Sequence, residues 1–135
     1  LLLFRETMTQ PRLLIVDDEE HIRLAMRTFF SHRGYLVDSA SEREEAEALL
    51  ANFNYACVIA DLRLSAGHGA DGLEILGFVK ERCPDTRIIL LTAYSSPAVE
   101  SEARRRGVDL FIHKPKPLAE VGRLVESLMS GSVPA

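Results

Sequence analysis

Three short runs, LLIV at 13–16, CVIA at 57–60 and IILL at 88–91, are apolar at every position, and a segment of helical period follows each one. A strand that is apolar throughout has to be covered on both faces, which an antiparallel hairpin wetted on one side does not provide. Two further runs, YLVDSA at 35–40 and DLFIHK at 109–114, admit polar residues, as edge strands can. Strand-like and helix-like segments alternate five times, so the chain reads as a parallel sheet with helices on both faces. The strands are expected at 12–16, 35–39, 56–60, 87–91 and 109–113. With the two mixed runs at the edges and the apolar runs inside, the order 2-1-3-4-5 satisfies the pattern, and its topological switch lies between strands one and three. Ligands of such sheets bind off the carboxyl ends of the strands, at that switch.

The helices carry their own punctuation. Ile22, Ala25, Met26 and Phe29 share one face of the first, which Gly34 ends. The second opens on SERE, in which Glu44 can reach back to the Ser41 amide as a capping box. The third runs from about Gly72 to Arg82 and stops before Pro84. For the fourth, Ser96 suits the N-cap, Pro97 the first position and Gly107 the stop. The fifth opens at Pro117 and sets Leu118, Val121, Val125 and Leu128 on one side.

A chain of 135 residues makes one domain with a real core, and a net charge of -4 argues against a nucleic-acid surface of its own. Cys57 and Cys83 show no metal-type spacing and read as reduced thiols of a cytoplasmic protein. The opening LLLF is too short for a membrane span, so no membrane partner is expected. Residues 1–10 read as a flexible arm or a cloning remnant, 11–129 as the domain, and 130–135 as a linker-like tail.

Against this frame the run LLIVDDEE is conspicuous, because apolar residues lead straight into four acids. Strand one delivers Asp17 and Asp18 to the switch point, strand three Asp61, strand four Thr92 and strand five Lys114. Carboxylates crowded together cannot all ionise without a cation to offset their repulsion, and hard oxygen ligands around a partly hydrated ion suit Mg²⁺. A divalent ion beside Asp61 with a lysine opposite suits transfer of a phosphoryl group to a carboxylate nucleophile. The competing reading of Asp17, Asp18 and Asp61 is helix capping or surface solvation, of Lys114 a solvated lysine, and of Phe111 plain packing. Glu19 and Glu20 are best read as acids favouring a helix N-terminus. Of the histidines, His21 and His32 read as solvated, and His113 should point to the face opposite Lys114. His68, in the loop after Asp61, is more simply an exposed loop residue than a ligand. The run RRR at 104–106 reads as a solvated helix end, with part of a dimer face as its alternative.

The elements VDDE, IADLRL, LLTAY and IHKPK, in this order at successive strand ends, resemble those of bacterial two-component response-regulator receiver domains, over residues 12 to about 129. The resemblance implies a three-layer, doubly wound, flavodoxin-like sheet. It makes Asp61 the phosphoacceptor, which attacks a phosphohistidine on a sensor histidine kinase or phosphotransfer protein. It has Asp18, Asp61 and the backbone carbonyl of Arg63 bind Mg²⁺, with Asp17 acting through water. Lys114 would pair with a phosphoryl oxygen and precede a cis bond to Pro115. Thr92 would donate its hydroxyl, Phe111 would be the aromatic of the switch, and Arg63 and Tyr94 would tune water attack. The face made by the fourth helix, fifth strand and fifth helix would meet an output partner or a second copy.

The pattern departs from the family in places. Ser65 stands where a proline is usual, Asp71-Gly72 arrives about three residues late after the extra AGHGA, and Phe111 lacks a tyrosine's hydroxyl. Two other functions compete with the signalling switch. An aspartyl-phosphate hydrolase needs a second acid two residues after its nucleophile, and Arg63 occupies that place. A degenerate, phosphorylation-independent binding module would not need the intact Asp17, Asp18, Asp61, Thr92 and Lys114 set.

Overall fold

The computed structural model describes residues 10–64, 71–93 and 95–131. Five parallel strands, β1 (Arg12–Val16), β2 (Leu36–Ala40), β3 (Cys57–Asp61), β4 (Arg87–Thr92) and β5 (Leu110–His113), lie in the order β2-β1-β3-β4-β5. The helices between and after them are α1 (Glu20–His32), α2 (Arg43–Asn52), α3 (Asp71–Arg82), α4 (Pro97–Arg105) and α5 (Leu118–Met129). The mixed-polarity strands are the edges and the wholly apolar ones the interior, as the sequence texture requires.

Successive strand residues face opposite sides, and each side has its own core. Leu14, Val16, Val58, Ala60, Ile88 and Leu90 pack under Ala46 and Leu50 of α2, Ile75, Leu76 and Val79 of α3, and Ala103 of α4. Leu13, Ile15, Ile59, Ile89 and Leu91 pack under Met26 and Phe30 of α1 and Val121, Val125 and Leu128 of α5. Two-sided coverage is therefore the physical reason that LLIV, CVIA and IILL carry no polar residue.

Three expectations need correction. Strands two, three and five begin one residue later than expected. The ladder continues to their carboxyl ends, pairing Val16 with Ala40, Asp61 with Leu91 and Thr92 with His113. Asp61 and Thr92 are thus the last residues of their strands, held by sheet hydrogen bonding. At α2 the capping acid is Glu45, whose Oε1 accepts from the Ser41 amide at 2.8 Å, while Glu42 is the N-cap. The helix starts one residue later than SERE suggested, so the acid that can reach back also shifts by one. On α1 the buried side turns away from Ala25, which is exposed, and takes in Phe30, which is wholly buried.

The remaining signals act as read. The Ser96 hydroxyl accepts from the Val99 amide at 3.2 Å with Pro97 at the first helical position. Gly34 and Gly107 follow their helices at φ of 95° and 92°, a region other residues enter at a cost. The closing residues 132–135 and the opening 1–9 lie outside the described residues.

The rotation of α1 has a measurable consequence. Phe30→Ala should destabilise the chain by about 3–5 kcal/mol in urea unfolding, the usual cost of an emptied aromatic site. Leu24→Ala, on the outer side where Leu24 is 62 % exposed, should stay within roughly 0.5 kcal/mol of the parent.

Candidate functional site

The carboxyl edge of the sheet gathers the chemistry. Asp17 follows β1 directly, and its amide is held by the Ala40 carbonyl of β2 at 3.1 Å. Asp17 is 3 % exposed and its side chain is doubly engaged. One oxygen accepts from the Glu19 amide at 2.9 Å, the other from Lys114 Nζ at 3.2 Å. Asp61, at the end of β3, is arranged in the same way: Oδ1 accepts from the Arg63 amide at 3.1 Å and Oδ2 from Lys114 Nζ at 3.0 Å. Asp18 is half-buried beside them. One carboxylate oxygen from each of Asp17, Asp18 and Asp61 lies within 4.8 Å of the others.

Lys114 reaches this cluster because its backbone is fixed. Its amide donates to the Thr92 carbonyl at 2.8 Å, extending the β4–β5 pairing by one residue, and the bond to Pro115 is cis. Thr92 itself is 1 % exposed at the end of β4. Phe111 is buried beneath α4, with its ring 5.4 Å from that of His113. His113 points away from the acids, as period-two alternation demands, and its Nε2 lies 3.2 Å from Glu100 of α4.

Burial pushes the Asp61 carboxyl above its ordinary value, against the Arg63 amide and Lys114, which stabilise the anion; the Asp17 charge adds to the rise. Burial pulls the Lys114 ammonium down, but the hydrogen bond and charge of Asp61, together with those of Asp17, outweigh it and hold it above the usual lysine range. One ammonium thus stands among three carboxylates, and the balance of the site is anionic. A group of hard oxygen donors with surplus negative charge fits a divalent cation of the Mg²⁺ or Ca²⁺ kind. Soft or nitrogen ligands are absent from this cluster among the described residues.

The structure therefore brings Asp17, Asp18, Asp61, Thr92 and Lys114 to one place. Arg63 is exposed next to it, on the first residues beyond β3. Tyr94, His68, Ser65 and the rest of the AGHGA loop lie outside the described residues. His21 and His32 are exposed on α1, and the arginines at 104–106 pair with Glu100 and Glu102 of their own helix. Cys57 and Cys83 are free thiols. No helix among the described residues is long and apolar enough to cross a membrane.

Sequence reasoning missed two supports of the site. Arg23 of α1 donates from its guanidinium to the Asp17 carbonyl at 2.8 Å. The amide of Gly72, in the first turn of α3, donates to the Leu62 carbonyl at 2.9 Å, directly beyond Asp61. Nothing in the spacing of Arg23 marks it, since its reach depends on how α1 crosses the end of β1. Gly72 carried a signal in the Asp71-Gly72 pair, which the sequence reading noted only as displaced.

Comparison with known proteins points the same way. Residues 13–126 match the model of the response regulator receiver domain. The chain is 34 % identical over 109 residues to the photosynthetic apparatus regulatory protein RegA of Cereibacter sphaeroides, covering 81 % of this chain and 58 % of that protein. It is 32 % identical over 120 residues to the transcriptional regulatory protein ResD of Bacillus subtilis, covering 89 % and 48 %. The chain thus spans about half the length of these regulators. Among solved structures, a CheY-like receiver domain protein from Methanospirillum hungatei superposes with a TM-score of 0.84 at 25 % identity, over 92 % of this chain and 97 % of that one. A response regulator from Burkholderia pseudomallei, solved with a phosphorylated aspartic acid, calcium ion and citrate, superposes with a TM-score of 0.79 at 26 % identity, over 90 % and 70 %. With its strand order, its acidic switch-point cluster and its family match over residues 13–126, the chain belongs to the response regulator receiver domains of two-component systems.

Proposed function

We propose that this receiver domain is a phosphoacceptor switch that takes a phosphoryl group onto Asp61 from a phosphohistidine of a sensor histidine kinase or phosphotransfer protein. The observation that carries this reading is Lys114 Nζ bridging Asp61 and Asp17 inside a cluster of three carboxylates. An Asp61 oxygen forms the bond to phosphorus while the bond from phosphorus to the imidazole nitrogen breaks, the electron pair leaving on that nitrogen. Lys114 is placed to turn from a carboxylate partner to a phosphoryl oxygen, and the Thr92 hydroxyl to donate to another. Asp18, Asp61 and the Arg63 carbonyl, with Asp17 acting through water, would hold Mg²⁺, which when bound neutralises charge on the phosphoryl oxygens. Exposed Arg63, with Tyr94, would shield phosphorus from in-line water and so lengthen the life of the phosphoryl group.

The output follows from Thr92 and Phe111. A new dianion at Asp61 draws on the Thr92 hydroxyl, and Phe111, packed beneath α4, is the aromatic in line to repack with it. The α4–β5–α5 face then changes its preference for an output partner or domain, or for a second copy of the chain. An aspartyl-phosphate hydrolase is disfavoured by Arg63, which stands where the second acid would be needed. The chain would therefore catalyse only its own phosphorylation and dephosphorylation.

Mg²⁺ should raise the melting temperature by linkage, worth about 1.4 kcal/mol at ten times its Kd. The rise should shrink in Asp18→Asn, as read by calorimetry; a parent indifferent to millimolar Mg²⁺ would defeat the metal assignment. Acetyl phosphate or beryllofluoride with Mg²⁺ should modify the parent at one site. By mass spectrometry, Asp61→Asn should take no label, whereas Lys114→Ala should still label, more weakly.

A third expectation concerns pH. The folded value of Asp61 lies above its unfolded one, so its contribution to stability is fully present below the ordinary carboxylate range and is lost as pH rises through the folded value. Lys114 runs in the same sense at the alkaline end, its contribution being lost as pH rises through its raised folded value. In metal-free buffer at neutral pH, Asp61→Asn should accordingly melt above the parent. The gap should close as the pH is lowered and Asp61 takes up its proton. A gap that widens toward acid would contradict the burial argument.

A further inference from the structure

We propose that the first turn of α3 is the platform that fixes the Asp61 loop, with Gly72 as its positioning residue, an inference that rests on the phosphoacceptor reading above. The helix and the strand end meet backbone to backbone. Besides the 2.9 Å bond from the Gly72 amide to the Leu62 carbonyl, the space where a β-carbon of residue 72 would sit is already filled. Such an atom would lie 2.6 Å from the Leu62 Cα, 3.0 Å from the Asp61 carbonyl oxygen and 3.1 Å from that of Leu62. Carbon contacts rest at about 3.5–4 Å, so any larger residue at 72 drives the two backbones apart. A flexible side chain could swing aside; a strand end hydrogen-bonded to β4 cannot.

What would move is the stretch that presents the chemistry. Asp61 is paired in the sheet to Leu91, and its Oδ1 is oriented by the Arg63 amide. The Arg63 carbonyl, the third metal donor of the proposed set, lies one residue beyond the carbonyl that Gly72 grips. The platform is itself anchored: Arg43 of α2 stands with its Nε 3.1 Å from Glu74 and 3.6 Å from Asp71 of the same turn. The lateness of Asp71-Gly72 in the sequence then has a physical reading. The chain accommodates an insertion before α3 and still returns a glycine to the place where the first turn of the helix meets the end of the phosphoacceptor strand.

The test sets Gly72→Ala against Gly77→Ala in the full chain. Gly77 lies in the same helix, and a β-carbon there would meet nothing within 4 Å. Measured well below each variant's melting temperature, Gly72→Ala should lose roughly tenfold or more in Mg²⁺ affinity and in the rate of acetyl phosphate labelling. Gly77→Ala should match the parent in both. If the parent labels and Gly72→Ala binds Mg²⁺ and labels as Gly77→Ala does, the platform is overturned.

Amide hydrogen exchange on the unsubstituted chain judges the same claim if Gly72→Ala does not fold. Amides of a first helical turn have no intrahelical acceptor, so slow exchange at Gly72 requires the Leu62 bond. The expected result is slow exchange there without Mg²⁺, and slower still with it. Exchange as fast as at an open helix N-terminus would overturn the platform. A parent that takes no label removes the phosphoacceptor reading instead, while protection at Gly72 in metal-free buffer still decides whether α3 grips the strand end.

Discussion

Three carboxylates held within 4.8 Å of one another are a source of repulsion that the surrounding fold has to contain. Lys114 does so from the far side of the site, at 3.2 Å from Asp17 and 3.0 Å from Asp61. Its reach depends on the β4–β5 pairing being continued to the Thr92 carbonyl, and hence on the sheet being complete to its edge. Asp17 depends on β2 in the same manner, through the Ala40 carbonyl that takes its amide. The charged centre and the hydrogen-bonded ladder are therefore one construction. The ladder supplies rigidity without which the like-charged carboxylates would relax apart, and the surplus of negative charge makes the site receptive to a cation.

That construction explains why apolar strands end abruptly in acids. Burial on both faces makes the strand interiors dry, and a carboxylate at the rim of such a region is strongly desolvated. Asp61 shows the effect: its carboxyl is pushed up despite an amide and an ammonium that both favour the anion. A carboxylate in that condition favours a cation brought beside it, and under the proposed phosphoacceptor reading this would couple phosphoryl transfer to metal binding. Away from that rim, polar side chains pair with one another or with the sheet: Tyr55 donates to Asp38 of β2 at 2.6 Å, and Asp109 takes the Ile88 amide at 2.8 Å.

Much of the site was legible in the chain itself. Asp17, Asp18, Asp61, Thr92 and Lys114 could be named because each stands at the end of a run whose texture marks it as a strand. Parallel strands put all their carboxyl ends on one edge. The supports were not legible. Arg23 acts six residues from Asp17 through the crossing of α1, the capping acid on α2 shifted by one residue, and Phe30 replaced Ala25 on the buried side of α1. Each depends on the angle or phase of a helix, which period alone leaves free by about one residue. His113 was placed on the correct side by alternation, yet its Glu100 partner belongs to another element and has no fixed offset in the sequence.

Composition and pattern therefore determined the class of fold, which strands form the edges and the side at which chemistry gathers, because two-sided burial and strand alternation act residue by residue along the chain. Tertiary structure alone decided which backbones touch. The grip of Gly72 on the Asp61–Leu62 strand end and the span of Lys114 across two carboxylates arise where elements distant in sequence pack together. Contacts of that kind are set by packing geometry in three dimensions, which no local spacing encodes.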